Sequence, residues 1–203
     1  MPDVTTAVPA EHRSRGWVII PLLICSLAIN VLLSRRISIL TREAASLKSE
    51  SGLNIGTKVP PIEGRLLNST AKGIEFGRST LPTVIYVFSP DCGWCMKNLG
   101  NLRALIAASG TRYTLVGLSL PSATSLSVYL QMAQLHFPVY TDVAESTIGA
   151  YRLGGTPETI VVSPQSKVLK VWIGAYQGAM LKDVENYLGV PLRECCQTVA
   201  KGS

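Results

Sequence analysis

Two cysteines stand two residues apart in the run Cys92-Gly93-Trp94-Cys95. That spacing suits a small disulfide ring if the first cysteine opens a helix and the second lies one turn deeper. Backbone N–H groups at a helix start favour the thiolate of the first sulfur over its thiol, and the thiolate is the attacking species in exchange. Cys92 is therefore the expected nucleophile on a partner's disulfide, and Cys95 the thiol that resolves the resulting mixed disulfide; the oxidative direction runs the same steps backwards. The competing chemistry is metal binding. A zinc site needs four ligands, and the other candidates, His12, His136 and the adjacent Cys195 and Cys196, do not fall at a suitable spacing. Copper held by Cys92, Cys95 and His136 would satisfy ligand softness, although a lone histidine is more often a surface or packing residue. No metal and no cofactor is expected. Cys195 and Cys196 could form a second redox pair, bond to another chain or bind metal; joined to each other they would close a strained ring.

The elements around the pair can be read from hydrophobic pattern. Thr83-Val84-Ile85-Tyr86-Val87-Phe88 is β-branched and aromatic on both faces, as a strand buried on both sides should be. After Ser89-Pro90-Asp91, Leu99, Leu102, Leu105 and Ile106 repeat at helical spacing until Gly110, so a helix begins at or just after Cys92. Strand, sharp turn, cysteine pair and helix follow in that order. Upstream, Ile62 to Leu67 and Ile74 to Phe76 suggest an entrance hairpin. Downstream come a strand over Tyr113 to Leu118, a helix from Ala123 to Leu135 with Leu126, Val128, Tyr129, Leu130 and Met132 inside, and a strand over Phe137 to Tyr140. A helix over Val143 to Tyr151, a hairpin of Thr159–Val162 with Lys167–Ile173, and a last helix from Met180 to Leu188 complete the chain. Alternation of strand and helix implies a mostly parallel sheet covered on both faces.

Ahead of this domain, Gly16 to Ser34 is free of charge and bracketed by Arg15 and Arg35, long enough to cross a bilayer, with Trp17 at the interface. No small-residue cleavage site follows it, so an uncleaved anchor is expected, with Cys25 a lipid-facing or packing residue. Leu33, Ile37, Leu40, Ala44 and Leu47 then repeat at spacings of four and three, as in a helical stalk. The expected organisation is a tail over 1–15, an anchor over 16–34, a stalk over 35–55, one α/β domain over 56–190 and a tail over 191–203. Arg13 and Arg15 precede the anchor, while Arg35, Arg36, Arg42 and Lys48 follow it, a count that by itself keeps the domain cytosolic. Thiol chemistry argues for the opposite side, and the domain is placed there: a single-pass protein of the cell inner membrane facing the periplasm. Net charge is +6 over 203 residues, without a dense basic run interleaved with aromatics, which excludes a nucleic-acid partner.

Three segments carry a family likeness: Gly56-Thr57-Lys58-Val59-Pro60, Phe88-Ser89-Pro90-Asp91-Cys92-Gly93-Trp94-Cys95, and Tyr151-Arg152-Leu153-Gly154-Gly155-Thr156-Pro157-Glu158-Thr159. From about Gly56 to about Leu188 the chain resembles the thioredoxin superfamily, and more narrowly the membrane-anchored TlpA/ResA-like branch of bacterial disulfide reductases. The resemblance implies a central mixed sheet flanked by helices, and a cis bond before Pro157 that lays this proline against the cysteines. It further implies that the Thr156 backbone meets a bound peptide and that Trp94 borders the substrate groove. Implied partners are protein thiols and disulfides and an upstream thiol electron carrier, with a role such as keeping apocytochrome haem-attachment thiols reduced. The chain departs from cytosolic thioredoxins in carrying Tyr86 where they bury an acid that moves protons. Glu75 and Glu158 are the remaining candidate acids, both read as solvated surface residues. Two other functions stay open. One is a peroxiredoxin-like peroxidase, although Ser89 stands where a threonine is expected; the other is a non-catalytic peptide-binding or metallochaperone module that uses the groove beside Pro157.

Overall fold

The computed structural model describes residues 20–27, 29–36 and 53–194. They fall into two units divided between Glu50 and Ser51, each described by itself. In the first, residues 20–27 and 29–36 are helical (α1), and Leu22, Leu23, Ile24, Leu27 and Leu32 are exposed. Among the described residues no helix is long and apolar enough to cross a membrane. The expected span over 16–34 falls partly outside them, and the stalk from Ile37 to Leu47 lies wholly outside, as do His12, Cys195 and Cys196.

The second unit is built on seven strands: β1 (Ile62–Leu66), β2 (Lys72–Ile74), β3 (Thr83–Phe88), β4 (Thr114–Ser119), β5 (Val139–Thr141), β6 (Glu158–Val162) and β7 (Val168–Ile173). Their order across the sheet is β2-β1-β5-β4-β3-β6-β7. Helices α2 (Gly93–Lys97), α3 (Leu99–Ala108), α4 (Leu126–Met132), α5 (Glu145–Tyr151) and α6 (Gly178–Leu188) connect or follow them. The sheet is mixed rather than mostly parallel. Only β3–β4 and β4–β5 run parallel, whereas β1–β2, β1–β5, β3–β6 and β6–β7 are antiparallel. Helical crossovers join β3 to β4 to β5, while a hairpin at each edge adds strands of opposite sense; β6 is buried along its whole length, as a parallel strand would be, so its apolar run does not disclose its direction.

Alternation along the central strands divides the core in two. Val84, Tyr86 and Phe88 face Leu102 and Leu105 of α3, Tyr129 of α4, and Leu181, Val184 and Leu188 of α6. Ile85 and Val87 face the other way, with Val116, Leu118, Tyr151, Leu153 and Ile160, and Leu53 packs here too. A six-residue register, Thr83↔Thr114 through Phe88↔Ser119, locks β3 to β4. At the centre of β4, Gly117 admits the Phe137 ring: a Cβ there would lie 2.9 Å from its carbons.

Two helices differ from the expected ones. The helix read from Cys92 to Gly110 is interrupted at Asn98, whose side chain is fully buried. Asn98 Nδ2 donates to the Tyr86 hydroxyl at 3.2 Å, and Oδ1 accepts from Asn101 Nδ2 at 3.0 Å and from the Tyr176 N–H at 3.3 Å. One amide thereby ties β3, α3 and the loop before α6 together. Asn98→Ala would leave several buried polar groups unpartnered, each costing about 1–3 kcal/mol. A urea titration should show a loss on the order of 3 kcal/mol. Helix α4 is shorter than the expected Ala123–Leu135, because Ala123 and Thr124 bind Asp91 and Gln134 adopts a positive φ of 50°. Val128 and Met132 are 48% and 80% exposed, not inside, since so short a helix buries only the stripe of Tyr129 and Ala133.

Candidate active site

Strand β3 delivers the chain into the turn Ser89-Pro90-Asp91, closed by the Cys92 N–H donating to the Ser89 carbonyl at 3.0 Å. Cys92 caps α2: its sulfur accepts from the Cys95 N–H at 3.1 Å. Asp91 fixes this turn from the side, accepting from the Ala123 N–H at 2.8 Å and from the Thr124 hydroxyl. The Ser122 side-chain hydrogen bond first, then those from Thr124 and Ala123, hold its carboxyl down to about 2.

Both thiols are free. Cys92 is half-buried and Cys95 is 1% exposed, the expected order of an accessible and a recessed sulfur. Burial works against ionising Cys92, but hydrogen bonds from the Cys95 and Thr156 side chains and from the Cys95 and Trp94 backbone outweigh it, and its pKa falls below the ordinary thiol value. Burial, reinforced by the Cys92 thiol, pushes Cys95 up to about 12. Environments that drive paired groups apart separate their roles. Alkylation by iodoacetamide at pH 7, resolved by peptide mass, should therefore modify Cys92 and spare Cys95 in the native chain. Equal labelling of the two would contradict this geometry.

The loop before β6 arrives opposite the sulfurs. Thr156–Pro157 is a cis peptide, and the Cys92 thiol donates to the Thr156 carbonyl at 3.3 Å. Pro157 is buried, and its own carbonyl accepts from the Gly174 N–H at 2.7 Å. Trp94 is 50% exposed beside Met96, with Lys97 Nζ 4.2 Å from its ring centroid. Cys92, Cys95, Trp94, Thr156 and Pro157 thus meet at one end of the sheet. His136 does not join them: it is exposed between α4 and β5 and lines a separate cavity with Leu66, Phe137 and Val139. Among the described residues no group of three His, Cys, Asp or Glu side chains could hold a metal ion. A cavity of about 550 Å³ lies along β1 and β2, lined by none of the residues just named.

Three buried polar groups lie near the site; the sequence placed Tyr86 and Tyr129 inside without showing what surrounds their hydroxyls, and it placed Glu158 outside. Tyr86 is buried beneath Cys95, and desolvation first, then its neighbour Tyr176, raises its phenol well above the ordinary value. Tyr129 stacks on Phe88 at 5.6 Å, its hydroxyl has no hydrogen-bond partner among the described residues, and burial followed by the two cysteines raises it to about 12. Glu158 corrects the surface reading given to it. Glu75 is indeed exposed and paired with Arg78 at 2.7 Å, but Glu158 is 1% exposed, its Oε1 is unpartnered, and burial raises it to about 7. It lies between Val87 of β3 and Ile173 of β7, so neighbouring strands cover it on both sides. Only strand order could reveal that.

No protein-family model matches the chain, and no curated protein matches its sequence. Solved structures do match. The thioredoxin domain of a thiol-disulfide oxidoreductase from Bacteroides vulgatus is 18% identical with a TM-score of 0.54, covering 68% of this chain and 99% of that one. A thiol-disulfide isomerase from Corynebacterium glutamicum is 20% identical with a TM-score of 0.53, covering 67% and 97%. A peroxiredoxin-like protein from Aquifex aeolicus is 14% identical with a TM-score of 0.52, covering 68% and 87%. At such identities the likeness is one of fold: residues 53–194 form a thioredoxin-like domain with a Cys-x-x-Cys pair at the mouth of its cis-proline loop.

Proposed function

We propose that the chain is a membrane-anchored thiol-disulfide oxidoreductase that reduces protein disulfides through Cys92 and Cys95. It works on the periplasmic side of the inner membrane as a reductant of the cytochrome c maturation type. The observation that carries the reading is the split between the two thiols: Cys92 is lowered and reachable, Cys95 is buried and raised to about 12.

The Cys92 thiolate attacks one sulfur of a substrate disulfide; a Cys92–substrate bond forms, the substrate S–S bond breaks, and the departing sulfur leaves as a thiolate that takes a proton. Cys95 then loses its proton, attacks Cys92 Sγ and expels the second substrate sulfur, leaving a Cys92–Cys95 disulfide. Two electrons have passed from the pair to the substrate. Tyr86 cannot serve as the base at neutral pH, because its raised phenol stays protonated. Water or the departing substrate thiolate takes the Cys95 proton. An upstream thiol carrier restores the dithiol, and no cofactor enters the cycle. The exposed Trp94 and Met96 offer an apolar rim for the peptide around the target disulfide.

Support for the anchor is the charge-free stretch from Gly16 to Ser34, whose described part is a helix with apolar side chains. The test is insulin disulfide reduction with dithiothreitol as electron source, run beside a hydrogen peroxide assay. Catalysed insulin reduction supports the reading; peroxide consumption without it overturns the reading in favour of a peroxidase.

A further inference from the structure

We propose that the Tyr129 hydroxyl is the hydrogen-bond donor that steadies the Cys95 thiolate while that sulfur attacks Cys92. This rests on the exchange reading above and assigns a further residue to its second step.

That step poses a problem the two cysteines do not solve between them. Cys95 is 1% exposed, and an ionised sulfur is costly to bury without water or a hydrogen-bond donor. Cys92 offers it no donor at that moment, because its own sulfur is bonded to the substrate. Among the described residues two buried side-chain polar atoms lack a hydrogen-bond partner, the Tyr129 hydroxyl and Glu158 Oε1. Glu158 pairs across strands with Val87 and so shares its face of the sheet, and Val87 belongs to the layer opposite Cys95. Tyr129 belongs to the same layer as Cys95, and Cys92 packs against that layer too. Of the two unpartnered atoms, the phenol is the one on the side of the sulfurs.

Helix α4 is fastened so as to keep it there. Ahead of the helix, Asp91, the residue before Cys92, accepts from the Ala123 N–H at 2.8 Å and from the Thr124 hydroxyl. At the other end Arg103 of α3 donates to the Ala133 carbonyl at 2.8 Å. Between these ties the Tyr129 ring stacks on Phe88, with centroids 5.6 Å apart, and Phe88 leads directly into the turn that carries the cysteines.

The titratable groups facing the phenol are Cys92, Cys95 and, from β3, Tyr86; Arg103 brings a positive charge from α3 to the end of α4. Burial first, then Cys95 and then Cys92, raises the phenol to about 12, so it keeps its proton at neutral pH and is available as a donor. The Tyr86 hydroxyl is already held by Asn98 Nδ2 at 3.2 Å. In the dithiol state Cys95 carries no charge and the Tyr129 hydroxyl is idle; hydrogen bonds of this kind tighten as the reacting charge appears. Cys95 gives its proton to water or to the departing substrate thiolate, and the Tyr129 O–H meets the charge left on sulfur. Cys95 Sγ then bonds to Cys92 Sγ, the Cys92–substrate bond breaks, and the electron pair leaves on the substrate sulfur. Tyr129 keeps its proton throughout.

The test is stopped-flow release of thionitrobenzoate from dithiobis-nitrobenzoate by the full chain in detergent. Cys25→Ala, Cys195→Ser and Cys196→Ser leave Cys92 and Cys95 as the reacting thiols. Attack by Cys92 releases one thionitrobenzoate in a phase that scales with reagent concentration, and attack by Cys95 releases the second in a phase independent of it. Tyr129→Phe, which removes one oxygen and keeps the ring, should leave the first phase in place and slow the second about tenfold, the effect of losing a hydrogen bond to a charged group. The pH at which the second phase reaches a given rate should rise by about one unit. Stability to urea should hold or increase, because an unsatisfied hydroxyl leaves the core. Tyr113→Phe is the control: its hydroxyl donates to the Leu105 carbonyl at 2.9 Å in the same core, so its loss should cost stability and leave the second phase unchanged. A second phase unaltered by Tyr129→Phe, one slowed equally by Tyr113→Phe, or a Tyr129→Phe chain that is destabilised overturns the proposal. A second phase missing while Tyr129 is intact sinks the exchange reading beneath it instead.

Discussion

Replacing Cys92 with serine is expected to drop insulin reduction to the rate of dithiothreitol alone, while Cys95→Ser should accumulate a covalent complex with substrate. The difference follows from where the two sulfurs lie. Cys92 holds the accessible position at the start of α2, where the Cys95 N–H points at its sulfur from 3.1 Å. A serine there accepts the same hydrogen bond but cannot ionise near neutral pH, so the first exchange never begins. Cys95 is 1% exposed and meets only a partner already bonded to Cys92. Its removal leaves the first exchange intact and blocks the second, so a substrate-linked species should build up on a non-reducing gel and vanish with excess dithiothreitol. Serine keeps the volume of either side chain almost unchanged, so circular dichroism should show both variants folded. Two variants with equal residual turnover would contradict the assignment of roles.

The second large effect is expected from Glu158, and it concerns stability rather than turnover. An unfolded glutamate ionises near 4.5, whereas burial raises this one to about 7. Between those values the folded chain keeps a proton that the unfolded chain has lost, so folding is favoured by acid. The contribution is fully present below about 4.5, declines as pH rises through about 7, and is gone above it. The shift corresponds to something on the order of 3 kcal/mol across that window. Glu158→Gln has no charge to bury and should lose this slope. Measured by urea unfolding from pH 4 to pH 9, the stability of the variant relative to the unaltered chain should climb with pH and level off above about 7. A difference that stays flat across the range would mean that Glu158 ionises in the fold as it does in water. The comparison must be between the two chains, because Asp91, held down to about 2, adds a slope of opposite sign at the acid end.

Much of the site could be read before any fold was known, because its chemistry is written in local spacing. Cys92 and Cys95 are close in sequence, and the apolar run of β3 and the helical repeat after the cysteines place them at a strand-to-helix turn whatever surrounds it. β3 appears over Thr83–Phe88, the range read from its β-branched residues, since a strand buried on both faces leaves an uninterrupted hydrophobic signature. Pro157 was placed opposite the sulfurs by family likeness. Proximity across the long separation between Cys92 and Thr156 has no local signal, and the 3.3 Å contact belongs to tertiary structure.

What the chain determined alone was therefore the reacting pair, the order of elements and the charged and apolar segments that flank them, since propensity, periodicity and sulfur spacing act over a few residues. Strand order and burial were decided only by the assembled sheet. A glutamate after a proline looks solvated until β6 is found between β3 and β7, and Asn98 looks like an ordinary helical residue until Tyr86, Asn101 and Tyr176 converge on it. The physical reason is that desolvation and hydrogen-bond satisfaction depend on which distant segments share a neighbourhood, and that is a property of the packed chain.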